Sequence, residues 1–161
     1  MNLIEKKIAK FEAFEIPQDK PADFDSFWEE TVAKARSLPL NVKSEIIDYP
    51  IKSIEVRDIT YEGIDGTLIH TWLLLPPEAK SQKVPVVISY HGASGSRFTP
   101  SCHLQWLLMG CAVIVSDFRS QGGLSASKTG FLAGPNQYHL AMGLLDKYTY
   151  YYYHFFYIHT F

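Results

Sequence analysis

The stretch Val84-Pro85-Val86-Val87-Ile88-Ser89-Tyr90 runs straight into His91-Gly92-Ala93-Ser94-Gly95, and it constrains the fold more than any other part of the chain. A short, continuous apolar and β-branched run reads as a strand covered on both faces, as in a parallel sheet, and Pro85 is tolerated near its start. Thr99-Pro100 then supplies the cap and first position of a helix reaching about Met109, with Gly110 where a left-handed C-terminal residue is expected. Cys111 to Ser116 is the next short buried strand. Strand, helix and strand in this order form a βαβ unit, which requires a right-handed crossover onto a parallel sheet.

Upstream, Phe24, Phe27, Trp28, Thr31, Val32 and Ala35 recur at helical spacing from Asp23 to Arg36, with Asp23 placed to cap the start and Asp25 near the positive end. Ser37 to Asn41, containing Pro39, ends this helix and leads into extended chain. Ser53 to Tyr61 and Thr67 to Leu75 are strand-like, and Asp65-Gly66 between them is a hairpin signal because Gly accepts positive φ. Downstream of Asp117, Arg119 to Pro135 is rich in Ser and Gly and reads as a long loop. Tyr148 to Phe161 holds nine aromatic residues in fourteen and no Asp, Glu, Lys or Arg. Such a segment is expected neither to be solvated nor to pack at helical period, since nearly every face is apolar. These breaks give an N-terminal helical arm over 1–41, the main α/β portion over 42–147, and an aromatic tail over 148–161.

A net charge of −2, with Lys and Arg scattered, leaves no basic stripe for a phosphate backbone, so nucleic acid is not an expected partner. The opening residues Met1 to Lys10 mix charge into every turn, unlike a secretory signal, and no apolar run is long enough for a membrane span. The expectation is a cytoplasmic chain without a membrane partner. Cys102 and Cys111 fit neither a disulfide framework nor a zinc site. His70, His91, His103 and His139 show no metal-ligand spacing, and Gly92 to Gly95 lacks a P-loop Lys or a dinucleotide fingerprint, so neither a metal nor another cofactor is expected. Ser120-Gln121-Gly122-Gly123 imitates the back half of a nucleophile elbow, but Phe118 stands where the elbow needs Gly. Ser94 and Ser96 read as turn residues.

With these residues in view, the chain from about Asp23 to Tyr152 resembles the front portion of the cephalosporin-C deacetylase and acetyl xylan esterase family. The carriers are Asp23 to Glu30, Gly66 to Pro76, Tyr90-His91-Gly92, Arg119-Ser120-Gln121-Gly122, Gly143 to Lys147, and Thr149 to Tyr152. The resemblance implies an incomplete α/β-hydrolase fold comprising helical arm, β-hairpin and βαβ unit. It also implies a parent activity of removing acetyl groups from short xylo-oligosaccharides or the cephalosporin side chain through a Ser, Asp and His triad. No G-x-S-x-G elbow occurs in this chain. The expectation is therefore a catalytically silent truncation, from a frame disruption or premature stop just beyond Tyr152, with no catalytic residue of its own.

What remains legible is half of an oxyanion hole at Gly92, Ala93 and Ser94, where a main-chain N–H faces the developing oxyanion. The family has Tyr where this chain has Ala93, so the donor survives while an aromatic wall is expected to be lost. His91 is expected to orient the loop, and Arg119 and Gln121 to support it. The family's Arg-Gly-Gln becomes Arg119-Ser120-Gln121, putting a side chain where Gly is favoured. Acetylated oligosaccharides or small acetyl esters are the implied ligands. A non-catalytic carbohydrate-binding remnant, with its surface on Arg119 to Gly134, is the alternative, and an active enzyme with an unconventional nucleophile is a third reading. Family members oligomerise, and the apolar edge of the Val84–Tyr90 strand is expected to drive self-association and poor solubility.

Overall fold

The computed structural model describes residues 2–15, 19–129 and 139–158. The chain divides into two compact units, Met1–Thr31 and Val32–Phe161. In the first, α1 (Leu3–Glu12) opens on a capping box: the Asn2 side chain accepts the Glu5 N–H at 2.9 Å, and the Glu5 carboxylate accepts the Asn2 N–H at 2.7 Å. Charges in every turn hid this helix from the periodicity reading. Helix α2 (Phe24–Ser37) starts one residue after Asp23, as its spacing predicts, and the division between the units falls within it.

The second unit is built on one mixed sheet of five strands, β1 (Lys43–Ile47), β2 (Glu55–Glu62), β3 (Leu68–Leu75), β4 (Val86–Ser89) and β5 (Ala112–Ser116), in the order β1-β2-β3-β5-β4. The β2–β3 hairpin is antiparallel and turns at Gly66, whose φ is +71°. Strand β1, read from sequence only as extended chain, pairs antiparallel with β2 at the sheet edge, where four of its five residues are exposed and the adjacent Ile46 and Ile47 show no alternation. Strand β5 lies antiparallel to β3 and parallel to β4. Between β4 and β5 the expected helix is shorter than its sequence suggests: Pro100–His103 is a 3₁₀ turn, and α3 spans only Leu104–Leu108 before Gly110 at φ +74°. The sequence-derived α/β class holds.

Val56, Leu74, Val113 and Leu107 form the buried core on one sheet face, with Ile47, Tyr49, Ile54, Trp72, Leu104 and Trp106 against them. Full burial of each such aliphatic side chain contributes about 1.5–3 kcal/mol. Two readings are corrected. Strand β4 is not covered on both faces: it is an edge strand, and Val86 and Ile88, which share a face, are 53% and 58% exposed. Only β5 bears the burial expected of the parallel pair, because it alone has a neighbour on each side. The aromatic segment also packs at helical period after all, as α4 (Tyr151–Ile158), with Tyr151, Tyr153 and His154 buried. Its all-round apolar character suits a helix enclosed on several sides rather than one lying on a surface. Among the described residues no helix is long and apolar enough to cross a membrane.

Candidate active site

At the C-terminal end of β4 the chain turns sharply, closed by a hydrogen bond from the Gly95 N–H to the Gly92 carbonyl at 3.0 Å. Ser94 occupies the left-handed region at φ +61°, where a side chain is strained by about 1–2 kcal/mol. Two side chains hold the turn. The Phe118 N–H donates to His91 Nε2 at 3.0 Å, so the ring proton sits on Nδ1, 2.8 Å from the Gly92 carbonyl. His91 thus ties the end of β4 to the segment following β5. From the other side, the Ser94 N–H donates to Gln121 Oε1 at 2.8 Å. The Ala93 N–H has no partner among the described residues.

Gln121 can reach this turn because two glycines follow it. A Cβ on Gly122 would lie 2.6 Å from the Ser94 carbonyl oxygen, and one on Gly123 would fall inside the Asp117 carboxylate. Asp117 is 2% exposed and accepts the Arg97 N–H at 2.6 Å and the Leu124 N–H at 2.8 Å. The Arg97 guanidinium forks onto Asp58 at 2.7 and 3.1 Å and lies 3.7 Å over the Trp72 ring. His103, weighed from sequence only for metal-ligand spacing, holds the Arg97 carbonyl at 3.0 Å. Arg97 and Asp117 were not picked out from sequence; nothing in their spacing marks a contact that spans 20 residues.

Arg119 is fully buried, with Nη1 3.1 Å from Asp65 Oδ2 in the hairpin turn and 3.4 Å from Ser127 Oγ. Its Nε and Nη2 have no partner among the described residues. Burial alone would raise the Asp65 carboxyl, but hydrogen bonds from Thr129 and Thr67 and the Arg119 charge outweigh it and hold the group well below the usual carboxylate range. The His154 imidazole is pushed down, first by burial and then by the Arg119 charge. The Tyr151 phenol is pushed up, chiefly by burial.

Ser120 sits at φ +55°, in the left-handed region. It is exposed, and its Oγ accepts the Ser127 N–H at 3.2 Å. Among the described residues, none of Ser94, Ser96 and Ser120 is hydrogen-bonded to an imidazole. Ser120→Gly relieves backbone strain of about 1–2 kcal/mol but loses one hydrogen bond, about 1 kcal/mol, and loosens the unfolded chain by about 0.4–1 kcal/mol. Ser120→Ala keeps the strain and loses the bond. In urea denaturation the glycine variant is expected to exceed the alanine variant in stability by about 1 kcal/mol.

A cavity of about 560 Å³ opens beside the turn, and Ala93 forms part of its wall. The ring surface that Ala93 does not provide comes from Tyr90, Phe118, Tyr152 and Phe155, with His91, Gln121 and His139 completing the lining. Phe118 and Phe155 meet edge to face at 4.3 Å. Gly92, Ala93, Ser94, His91 and Gln121 therefore converge at one place, while Arg119 acts from beneath through its backbone: its carbonyl accepts the Tyr151 hydroxyl at 2.9 Å. Of the sugar surface suggested on Arg119 to Gly134, residues 130–134 lie outside the described residues. Cys102 and Cys111 are free thiols, and no three His, Cys, Asp or Glu side chains converge as a metal site among the described residues.

Fold and site together define an α/β protein in which a strand-end turn holds a main-chain donor beside an aromatic cavity. The family model for acetyl xylan esterase (AXE1) matches residues 1–161. The chain belongs to the acetyl xylan esterase family. It is similar to the acetyl xylan esterase from Paenibacillus sp. R4, at 34% identity and a TM-score of 0.81 over 97% of this chain and 48% of that one. Acetyl Xylan Esterase 1 from Thermoanaerobacterium sp. JW/SL YS485 shares the fold at 24% identity and a TM-score of 0.76, over 90% of this chain and 49% of that one. The chain thus spans about half the length of these relatives, and the match takes in the aromatic segment beyond Tyr152.

Proposed function

We propose that this chain forms the oxyanion-donor side of a serine-type acetyl ester hydrolase acting on acetylated xylo-oligosaccharides or small acetyl esters such as cephalosporin C, and that these 161 residues alone do not turn substrate over. The supporting observation is the unpartnered Ala93 N–H at the wall of the aromatic cavity. A tetrahedral intermediate of acyl transfer needs such a donor, together with a nucleophile and a base in hydrogen-bond reach of each other. Among the described residues, Ser94, Ser96 and Ser120 have no such base. Loss of the nucleophile and base costs about 10⁶ in kcat, and a single oxyanion donor does not replace them.

The ring-lined wall favours a second reading, a non-catalytic carbohydrate binder, because aromatic faces offer apolar area to a sugar ring. The purified chain assayed on p-nitrophenyl acetate is expected to show no turnover above buffer. Turnover abolished by Ser120→Ala would overturn the proposal. Saturable binding of an acetylated xylo-oligosaccharide without turnover would favour the second reading.

A further inference from the structure

We infer that Tyr151 is a positioning residue for the Gly92–Gly95 turn, acting through Gln121 to determine which of the turn's amides is left at the cavity. The inference rests on the proposed oxyanion role only for its catalytic meaning; the hydrogen-bond relay stands on its own geometry. Tyr151 donates its hydroxyl proton to the Arg119 carbonyl at 2.9 Å, which leaves the phenol oxygen to accept from Gln121 Nε2 at 2.8 Å. That contact orients the carboxamide: with Nε2 turned to Tyr151, Oε1 is turned to the Ser94 N–H at 2.8 Å. A flipped carboxamide would set an NH₂ against that N–H and lose the bond.

The relay acts where the backbone needs it. Ser94 is held at φ +61°, against the preference of a residue with a side chain, and its amide bond to Gln121 is what the side-chain network adds to the turn. With the Ser94 N–H occupied, the Ala93 N–H is the unpartnered amide beside the cavity. Tyr151 is well placed to serve as an anchor. It is fully buried, and its own N–H is fixed on the Met142 carbonyl at 2.9 Å. The aromatic segment therefore contributes to the site through an oxygen as well as through its rings.

Hydrogen–deuterium exchange of the intact 161-residue chain, read by mass spectrometry on peptides covering Tyr90–Phe98 and β5, tests this directly. Tyr151→Phe removes one oxygen and is expected to speed exchange of the Ser94 amide about five- to tenfold, the loss of one net hydrogen bond, while β5 is unchanged. Gln121→Ala, at a partly exposed position, is expected to do at least as much, and the double variant no more than Gln121→Ala alone. Gln121→Glu keeps an acceptor for the Ser94 N–H but replaces the Nε2 donor with an oxygen facing the Tyr151 oxygen, so it loses that contact and is expected to speed Ser94 exchange about as much as Tyr151→Phe. Unchanged Ser94 exchange in both Tyr151→Phe and Gln121→Ala, or acceleration spread equally over β5, overturns the inference. Should Tyr151→Phe not fold, Gln121→Ala and Gln121→Glu decide it. Ester turnover plays no part in this readout, so failure of the hydrolase reading and failure of the relay are separable.

Discussion

Asp65→Ala is expected to destabilise the chain by about 3–5 kcal/mol, because it strips the carboxylate from a guanidinium that has nowhere else to go. Arg119 is fully buried, its Nε and Nη2 already lack partners among the described residues, and without Asp65 only Ser127 Oγ at 3.4 Å remains to Nη1. The N–H groups of Thr67 and Thr129, bonded to Asp65 at 3.1 and 3.0 Å, lose their acceptor as well. Arg119→Met should cost distinctly less, since it removes the buried charge together with its unmet donors and leaves Asp65 its threonine partners. Urea denaturation of the two variants checks this order, and equal losses would show that the ion pair is not the source.

Acid provides a second signature of the same group. Asp65 has a folded pKa below its ordinary value of 3.8, so the unfolded chain takes up the proton first. Its contribution is complete above about pH 4 and is lost as pH falls through the lower folded value. The gap between the parent chain and Asp65→Ala should narrow there. His154, lowered from its ordinary 6.5 first by burial, acts in the same direction at higher pH: stability declines once pH drops below 6.5, as the unfolded imidazole protonates more readily.

The network around Asp65 also shows where sequence reading succeeds and where it stops. The hairpin, the α2 start, the parallel β4–β5 pair and Gly110 were legible because each rests on local periodicity or local φ preference. So was the strain at Ser120, visible as a side chain in a place that favours Gly. The contacts that organise the site join positions far apart in the chain: Arg119 to Asp65 across 54 residues, Arg97 to Asp58 across 39, and Gln121 to Tyr151 across 30. No spacing rule reaches that far. Tyr151 was hidden further by its company, since nine aromatic residues in a row of fourteen suggest a segment without a defined seat, whereas α4 buries it against the loop it braces. Strand β4 erred in the opposite sense: its composition suits two covered faces, yet this chain covers them only in part.

Gly123→Ala is expected to cost about 3–5 kcal/mol, the scale of breaking a buried charged contact, although it adds a single methyl group. Its Cβ would be built inside the Asp117 carboxylate, and that carboxylate is not free to step aside. Turning it away gives up the Arg97 N–H at 2.6 Å and the Leu124 N–H at 2.8 Å, and it moves a negative charge away from the Arg97 Nε, now 3.7 Å distant. If the carboxylate is the obstacle, Asp117→Ala should be destabilising by a similar amount, and the double variant Asp117→Ala/Gly123→Ala should be no worse than Asp117→Ala alone, because the methyl then occupies the space the carboxylate vacates. Additive losses in urea denaturation would instead place the fault in the backbone of the Gly122-Gly123 pair. The same cycle bears on the site: Arg97 follows the Gly92–Gly95 turn by two residues and Gly123 follows Gln121 by two, so the Asp117 carboxylate sets the distance at which Gln121 meets Ser94. Gly123→Ala, Asp117→Ala and the double variant are therefore all expected to speed exchange at the Ser94 amide, the double variant no more than Asp117→Ala alone.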